Sequence, residues 1–391
     1  MSALRDVNPD AVVPRLLLGV ALLAPAAPLS AGTVELRGEA SASGILSNAP
    51  TADAQWRLRY LPELTAKLTL GRTWTLDLDA SANAFLAEEY LDGKRLGERE
   101  SDVELYRGSV RIASPRFEAR AGLQKISFGS AAVFRPEMWF DRVDPRDPLQ
   151  FSEGVYALLL RYYVAGTANV WAWGLYGNDE PKGWELLPSD DDTPELGGRV
   201  QVPVPRGEIA ASYHHRRVDL APVPAPPPGL GGGTVPEDRV GFDGKWDLGV
   251  GAWVEGSLVR QDDPRIEPEW RHSVSIGVDY TFRLGQGLTA LAEHFVLQGA
   301  SVGSLLYPDL EVTAFGLTYP IGTVHQLRGL LYYDWKEEEA YRFVELRRTT
   351  DHWRFHLIGF WNPERLLALP QQQPAGSLAG RGVQLIVVFN H

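Results

Sequence analysis

From Thr33 onward, apolar and polar residues alternate with a period of two rather than 3.6, which predicts strands with one face on apolar surroundings. In Thr73–Ala84 (TWTLDLDASANA), Trp74, Leu76, Leu78, Ala80 and Ala82 share one face. Thr75, Asp77, Asp79, Ser81 and Asn83 share the other. Residues 238–248 set Val240, Phe242, Trp246 and Leu248 against Arg239, Asp243, Lys245 and Asp247. Residues 272–282 oppose Val274, Ile276, Val278, Tyr280 and Phe282 to Ser273, Ser275, Asp279 and Thr281, and the last strand turns Val383, Leu385, Val387 and Phe389 outward. Divided this way, the chain predicts about 18 strands of ~10–14 residues, the length of tilted membrane strands. Strands of soluble sheets average only about 5–6 residues.

The predicted connections alternate in length. Short turns fall at 70–72, 114–116, 165–167, 203–207, 247–250, 285–287, 321–323 and 350–352. Longer, more polar connections fall near 47–54, 89–101, 129–154, 179–193, 221–236, 262–270, 301–308, 336–340 and 365–380. Turns at one end and loops at the other predict an all-β fold, a single antiparallel transmembrane barrel with both termini at the short-turn end. Aromatic residues fit two interfacial belts. Trp74, Phe117, Tyr162, Trp246, Tyr280, Phe282, Trp353 and Phe389 lie near the turns, and Trp56, Tyr60, Phe128, Trp173, Tyr213, Trp335 and Trp361 near the loops.

The N-terminus adds a destination. Leu16–Leu29 is the only sustained apolar run; it is too short for a transmembrane helix and is followed by Ser30-Ala31-Gly32. It reads as a secretory signal over 1–31, with the barrel over 32–391, despite Asp6 and Asp10 in the leading segment and a large Leu29 before the cut. Ala221–Pro236 has the composition of a linker, but strands of the same type flank it, so it reads as a loop of one domain. The expected location is the bacterial outer membrane, in contact with lipid and lipopolysaccharide.

Composition narrows the chemistry. The 391 residues include no cysteine, which excludes thiolate metal sites, covalently attached haem and disulfides. A net charge of −12 argues against a nucleic-acid partner. In a membrane barrel the polar faces line the interior. Arg57, Arg59, Arg107, Arg111 and Arg120 gather on the early strands with Asp77, Asp79 and Glu118 between them. They are a wall of cross-strand ion pairs or a track that attracts anionic or sugar-like solutes.

The third long connection stands apart. Gln124–Gly154 holds three prolines together with Phe134, Met138, Trp139, Phe140 and Phe151, too apolar for disorder and too long for a passive linker. It is expected to fold into the lumen and narrow it, presenting Arg135, Glu137, Asp141, Arg142, Asp144, Arg146 and Asp147 at the constriction. The run Gly122-Leu-Gln-Lys-Ile-Ser-Phe-Gly129, followed by Arg135-Pro136 and Asp144-Pro-Arg-Asp147, resembles the pattern of Gram-negative specific porins, including relatives of the alginate-export barrels. The resemblance implies a diffusion channel with an inserted third loop and, by analogy with many diffusion porins, a homotrimer. One departure is at the end, where Asn390 and His391 follow the aromatic Phe389 with which such barrels usually finish.

No catalytic constellation, metal site or cofactor is predicted. His214 and His215 are adjacent on a strand and face opposite walls, so they cannot chelate one ion. Asp190-Asp191-Asp192 reads as a solvated loop, and Gly229–Gly233 lacks the strand-to-helix context of a phosphate site. Passive diffusion of small hydrophilic solutes fits the pattern best. An export or sheath barrel for a polysaccharide or partner protein stays open, as does an outer-membrane lipid esterase.

Overall fold

The computed structural model describes residues 29–143, 146–222, 233–263, 266–267, 269–299, 301–302, 305–306, 309–364 and 378–391. Its strands are β1 (Leu29–Ser47), β2 (Ala54–Leu70), β3 (Trp74–Leu91), β4 (Lys94–Ala113), β5 (Phe117–Gln124) and β6 (Val155–Val164). They continue as β7 (Ala168–Leu175), β8 (Glu195–Val204), β9 (Gly207–Asp219), β10 (Thr234–Asp247), β11 (Gly251–Gln261) and β12 (Trp270–Phe282). The last six are β13 (Leu288–Leu297), β14 (Leu310–Ile321), β15 (His325–Asp334), β16 (Glu339–Thr349), β17 (Trp353–Trp361) and β18 (Arg381–Asn390). All 18 belong to one sheet in which sequence neighbours pair antiparallel. The sheet closes on itself: Gly382–Asn390 of β18 pairs with Ser47–Glu39 of β1. Closure leaves no open edge in the ring, which is what strands need in hydrocarbon. A small ribbon of Ile266–Glu267, Ser301–Val302 and Leu305–Leu306 lies outside the ring.

The exterior follows the alternation. Leu158, Leu196, Val240, Ile276, Leu317, Leu357 and Leu385 are all exposed large apolar side chains, whereas their neighbours in sequence turn inward. A protein that showed water so much aliphatic surface would aggregate, and lipid is the medium that fits it. Trp74, Tyr162, Tyr280, Phe282 and Trp353 are exposed near the short turns, and Trp270, Trp335 and Trp361 toward the other end.

Three expectations need correction. The strands run from 8 to 20 residues rather than within a narrow range, because β3 and β4 extend far beyond β5 and β7. The connection expected over 89–101 is a tall hairpin that turns at Asp92-Gly93, with φ of 52° and 72°. An Asp-Gly pair in that conformation makes the tight turn that matches strand twist, and it outweighs the polar composition around it. In the aromatic belts, Phe128 and Trp173 are buried inside the barrel, and Tyr60 stacks on His391 at the C-terminal end. Period-two patterning marks a face but does not tell lipid from packed interior.

The strand pairing also uses the two residues after Phe389. The His391 N–H donates to the Gly38 carbonyl, Gly38 N–H returns a bond at 3.0 Å, and the His391 ring lies 3.1 Å from the Tyr60 hydroxyl. Residues 1–28 lie outside the described part; β1 starts at Leu29, so the expected cut after Ala31 would fall within its first three residues. Most of Ala221–Pro236 and of the 365–380 connection also lies outside it.

Candidate functional site

Between β5 and β6 the chain leaves the wall. Gln124 closes β5 with its amide donating to the Ala157 carbonyl at 2.8 Å, and residues 125–154 then run inward to meet strands on the far side of the ring. Ser130 Oγ donates to Asp243 on β10 at 2.5 Å. The N–H groups of Ala131 and Glu137 both donate to Glu255 on β11, each at 2.7 Å. Those of Ala132, Val133 and Phe134 converge on Glu293 of β13, at 2.7, 3.1 and 2.6 Å. Trp253 Nε1 completes the Glu293 shell at 2.8 Å. A buried turn needs acceptors for its N–H groups, and two wall carboxylates supply them as charge-assisted bonds. Gly129, with φ 101°, is required at the approach: a Cβ there would stand 2.4 Å from a Glu255 oxygen.

Apolar packing completes the seat. Phe134 stacks on Phe295 at 5.3 Å and meets Tyr332 edge-on at 5.6 Å, inside a cluster that includes Val312, Phe343, Phe360 and Val388. Ile126, Phe128, Trp139 and Phe140 pack against Leu159, Trp173 and Leu175. Much of this core therefore lies between loop and wall, inside the barrel.

The next long connection, 176–194, also turns inward, which the residue pattern did not predict. Trp184 Nε1 donates to the Arg135 carbonyl at 2.7 Å, and its ring stacks on Phe295 at 5.0 Å. Glu185 holds Arg216 at 2.9 Å and Arg239 at 2.6 Å, and Glu237 bonds both at 2.7 and 2.6 Å and Arg271 at 3.1 Å. Lys182 bonds Glu195 at 3.0 Å, and the other oxygen of Glu195 faces His214 at 2.9 Å. Each of these cations has a carboxylate, as burial requires. Trp184 thus ties the fourth loop to the third.

The seven charged residues expected at the constriction divide into groups. Arg135 bonds Asp141 and Ser127, both at 2.6 Å, and Asp141 is 2% exposed. Glu137 is 1% exposed, with Arg199 Nη1 3.5 Å away. Burial, and then the neighbouring Glu255 and Asp243 carboxyls, hold the Glu137 pKa well above the usual carboxylate range, with Arg199 opposing. Arg146 is buried, and Asp147 accepts the N–H groups of Leu149 and Phe151 at 2.9 and 3.1 Å. Arg142 is more open and sits 3.6 Å from Glu153. Asp144 lies outside the described residues. These residues do not form one ring: Arg135, Glu137 and Asp141 face protein.

The five wall arginines face the other side of the loop. Arg57 lies 3.9 Å from Glu100. Arg59 stacks over Phe151 at 3.8 Å, and Arg107 donates to the Ser152 and Tyr106 carbonyls at 2.5 Å. Arg111 bridges Asp77 at 2.5 Å and Glu118 at 2.7 Å. Among the described residues, Arg59, Arg107 and Arg120 have no carboxylate within the 4.0 Å of an ion pair. Asp77 and Glu118 thus neutralise one member of the track and leave three without an ion partner.

No family model matches the sequence, and no curated protein matches it. Among solved structures, OccD3 (OpdP) from Pseudomonas aeruginosa superposes with a TM-score of 0.58 at 10% identity, covering 93% of each chain. OccAB4 from Acinetobacter baumannii gives 0.56 at 7% identity, covering 93% of this chain and 98% of its own. The fold is that of the outer-membrane porins. With its closed ring and apolar exterior, the chain is a transmembrane β-barrel with the porin fold.

Within this porin-type barrel, the residues that position the third loop are Glu255 and Glu293, and neither stood out in the sequence. A signal was present: each is a carboxylate on the inward face of a strand, Glu255 two residues from Trp253 and Ser257, with no basic partner in the register-paired Asp243 and Ser275. An inward acid without a cross-strand base implies a donor from elsewhere.

Proposed function

We propose that this barrel passes small hydrophilic solutes across the outer membrane by passive diffusion, with no chemistry of its own. The third loop narrows the lumen, and solutes move between it and the β2–β6 wall. The carrying observation is that, among the described residues, Arg59, Arg107 and Arg120 on that wall have no carboxylate within ion-pair distance. Guanidinium groups in a narrow aqueous passage raise the local concentration of anions and offer paired donors to carboxylates, phosphates or sugar hydroxyls. Anionic or sugar-like solutes are therefore favoured. Arg142 and Asp147 stand nearest the role first given to all seven loop charges. The native form in this reading is the barrel of 32–391 freed of its signal, in contact with lipid and lipopolysaccharide and assembled as a homotrimer.

Planar-bilayer recording of the purified protein is the test. Large ohmic single-channel steps with an anion-weighted reversal potential are expected, and a silent bilayer would overturn the reading. Deleting Arg135–Asp147 is expected to raise conductance and weaken selectivity. Unchanged conductance would remove the loop from the path.

A further inference from the structure

We propose that the third loop is latched by a proton held on Glu137, which is buried beside Asp243 with one guanidinium for both, so that alkaline conditions release the loop and widen the channel; this rests on the diffusion reading above. Both carboxyl groups are buried and face the same guanidinium nitrogen, Arg199 Nη1. Asp243 already has full partners for an anion: Arg199 at 2.6 Å on one oxygen and Ser130 Oγ at 2.5 Å on the other. Glu137 has only the same Arg199, at 3.5 Å. The proton therefore belongs to Glu137.

The surroundings supply no further cation. Facing Glu137 are Arg199 from β8, Asp243 from β10, Glu255 from β11 and, further along the seat, Glu293 from β13; Arg135 from the loop is committed to Asp141. Glu255 and Glu293 accept backbone N–H groups, two and three respectively. One guanidinium thus serves the Glu137–Asp243 pair, and two like charges sharing one cation in a buried site repel strongly. Sidestepping is blocked. The carboxyl lies over Gly241, where even a Cβ would stand 2.0 Å from its oxygen, so ionised Glu137 has to move with the loop that carries it.

The sign follows. Glu137 binds its proton more tightly folded than unfolded, so its contribution to loop seating is complete at low pH and is lost as pH rises through the elevated value. Single-channel conductance is expected to rise toward alkaline pH, and Glu137→Gln, which keeps the shape of the side chain without its charge, is expected to abolish that rise. A conductance rise that survives in Glu137→Gln would overturn the latch. A readout independent of conduction uses the absence of native cysteine. The pH dependence of maleimide labelling of buried Ala131→Cys is compared between the native and Glu137→Gln backgrounds, which share the same thiol site. Labelling is expected to rise more steeply with pH in the native background, and equal rises would overturn the proposal. A silent bilayer would remove the channel reading and leave the labelling to decide the latch.

Discussion

The two sides of the lumen use the same residue types for opposite purposes. On the β8–β13 side, Arg199, Arg216 and Arg239 are each within 2.7 Å of a carboxylate and almost fully buried under two inward loops. On the β2–β6 side, Arg59 leans on a ring and Arg107 on carbonyls, and they and Arg120 are less deeply buried. Burial sets the difference. A charge removed from water must be paired, so the covered wall carries matched acids, whereas a wetted wall tolerates unmatched cations. In the proposed channel the covered side is structure, and the less covered side is where selectivity is exerted.

Substitutions can break that division. Arg216→Leu removes one cation from the buried Glu185 and Glu237 cluster and leaves two carboxylates to Arg239 and Arg271, and thermal unfolding in detergent should show a loss of about 3–5 kcal/mol. Glu293→Ala comes next: each of its loop N–H donors left without a partner costs about 1–3 kcal/mol. Unlike Arg216→Leu, it should also raise conductance, because the turn at 132–134 loses its anchor. Gly129→Ala, at a left-handed position against Glu255, should free the same loop with a smaller stability loss, read as higher conductance and weaker selectivity. The smallest stability effect belongs to the less covered wall. Arg59→Ala, Arg107→Ala and Arg120→Ala should each change stability by no more than about 1 kcal/mol, as for weakly held surface charges. Each should nevertheless move the reversal potential toward cations. If Arg120→Ala unfolded the barrel, or Arg216→Leu altered only selectivity, the division would fail.

Much of this was legible. Period-two patterning marked the strands, the alternation of short and long connections marked their direction, and every predicted short turn coincides with a strand boundary. The unusual third connection was visible from its length and its aromatic residues. Individual roles were less legible. Arg135, Glu137 and Asp141 looked like constriction charges because their loop is polar, yet packing turns them toward protein. Phe128 and Trp173 looked like belt aromatics because they lie near strand ends, yet they fill the space under the loop.

Sequence alone determined the barrel and its strand number, because alternation, turn chemistry and the ban on unpaired backbone in lipid are local constraints summed along the chain. Tertiary structure alone decided where the third loop rests. That choice depends on Glu255 and Glu293, more than 100 residues from the turns they hold, and no local pattern pairs an inward carboxylate with a distant run of N–H groups. Closing the ring brings them together, and burial makes the pairing obligatory.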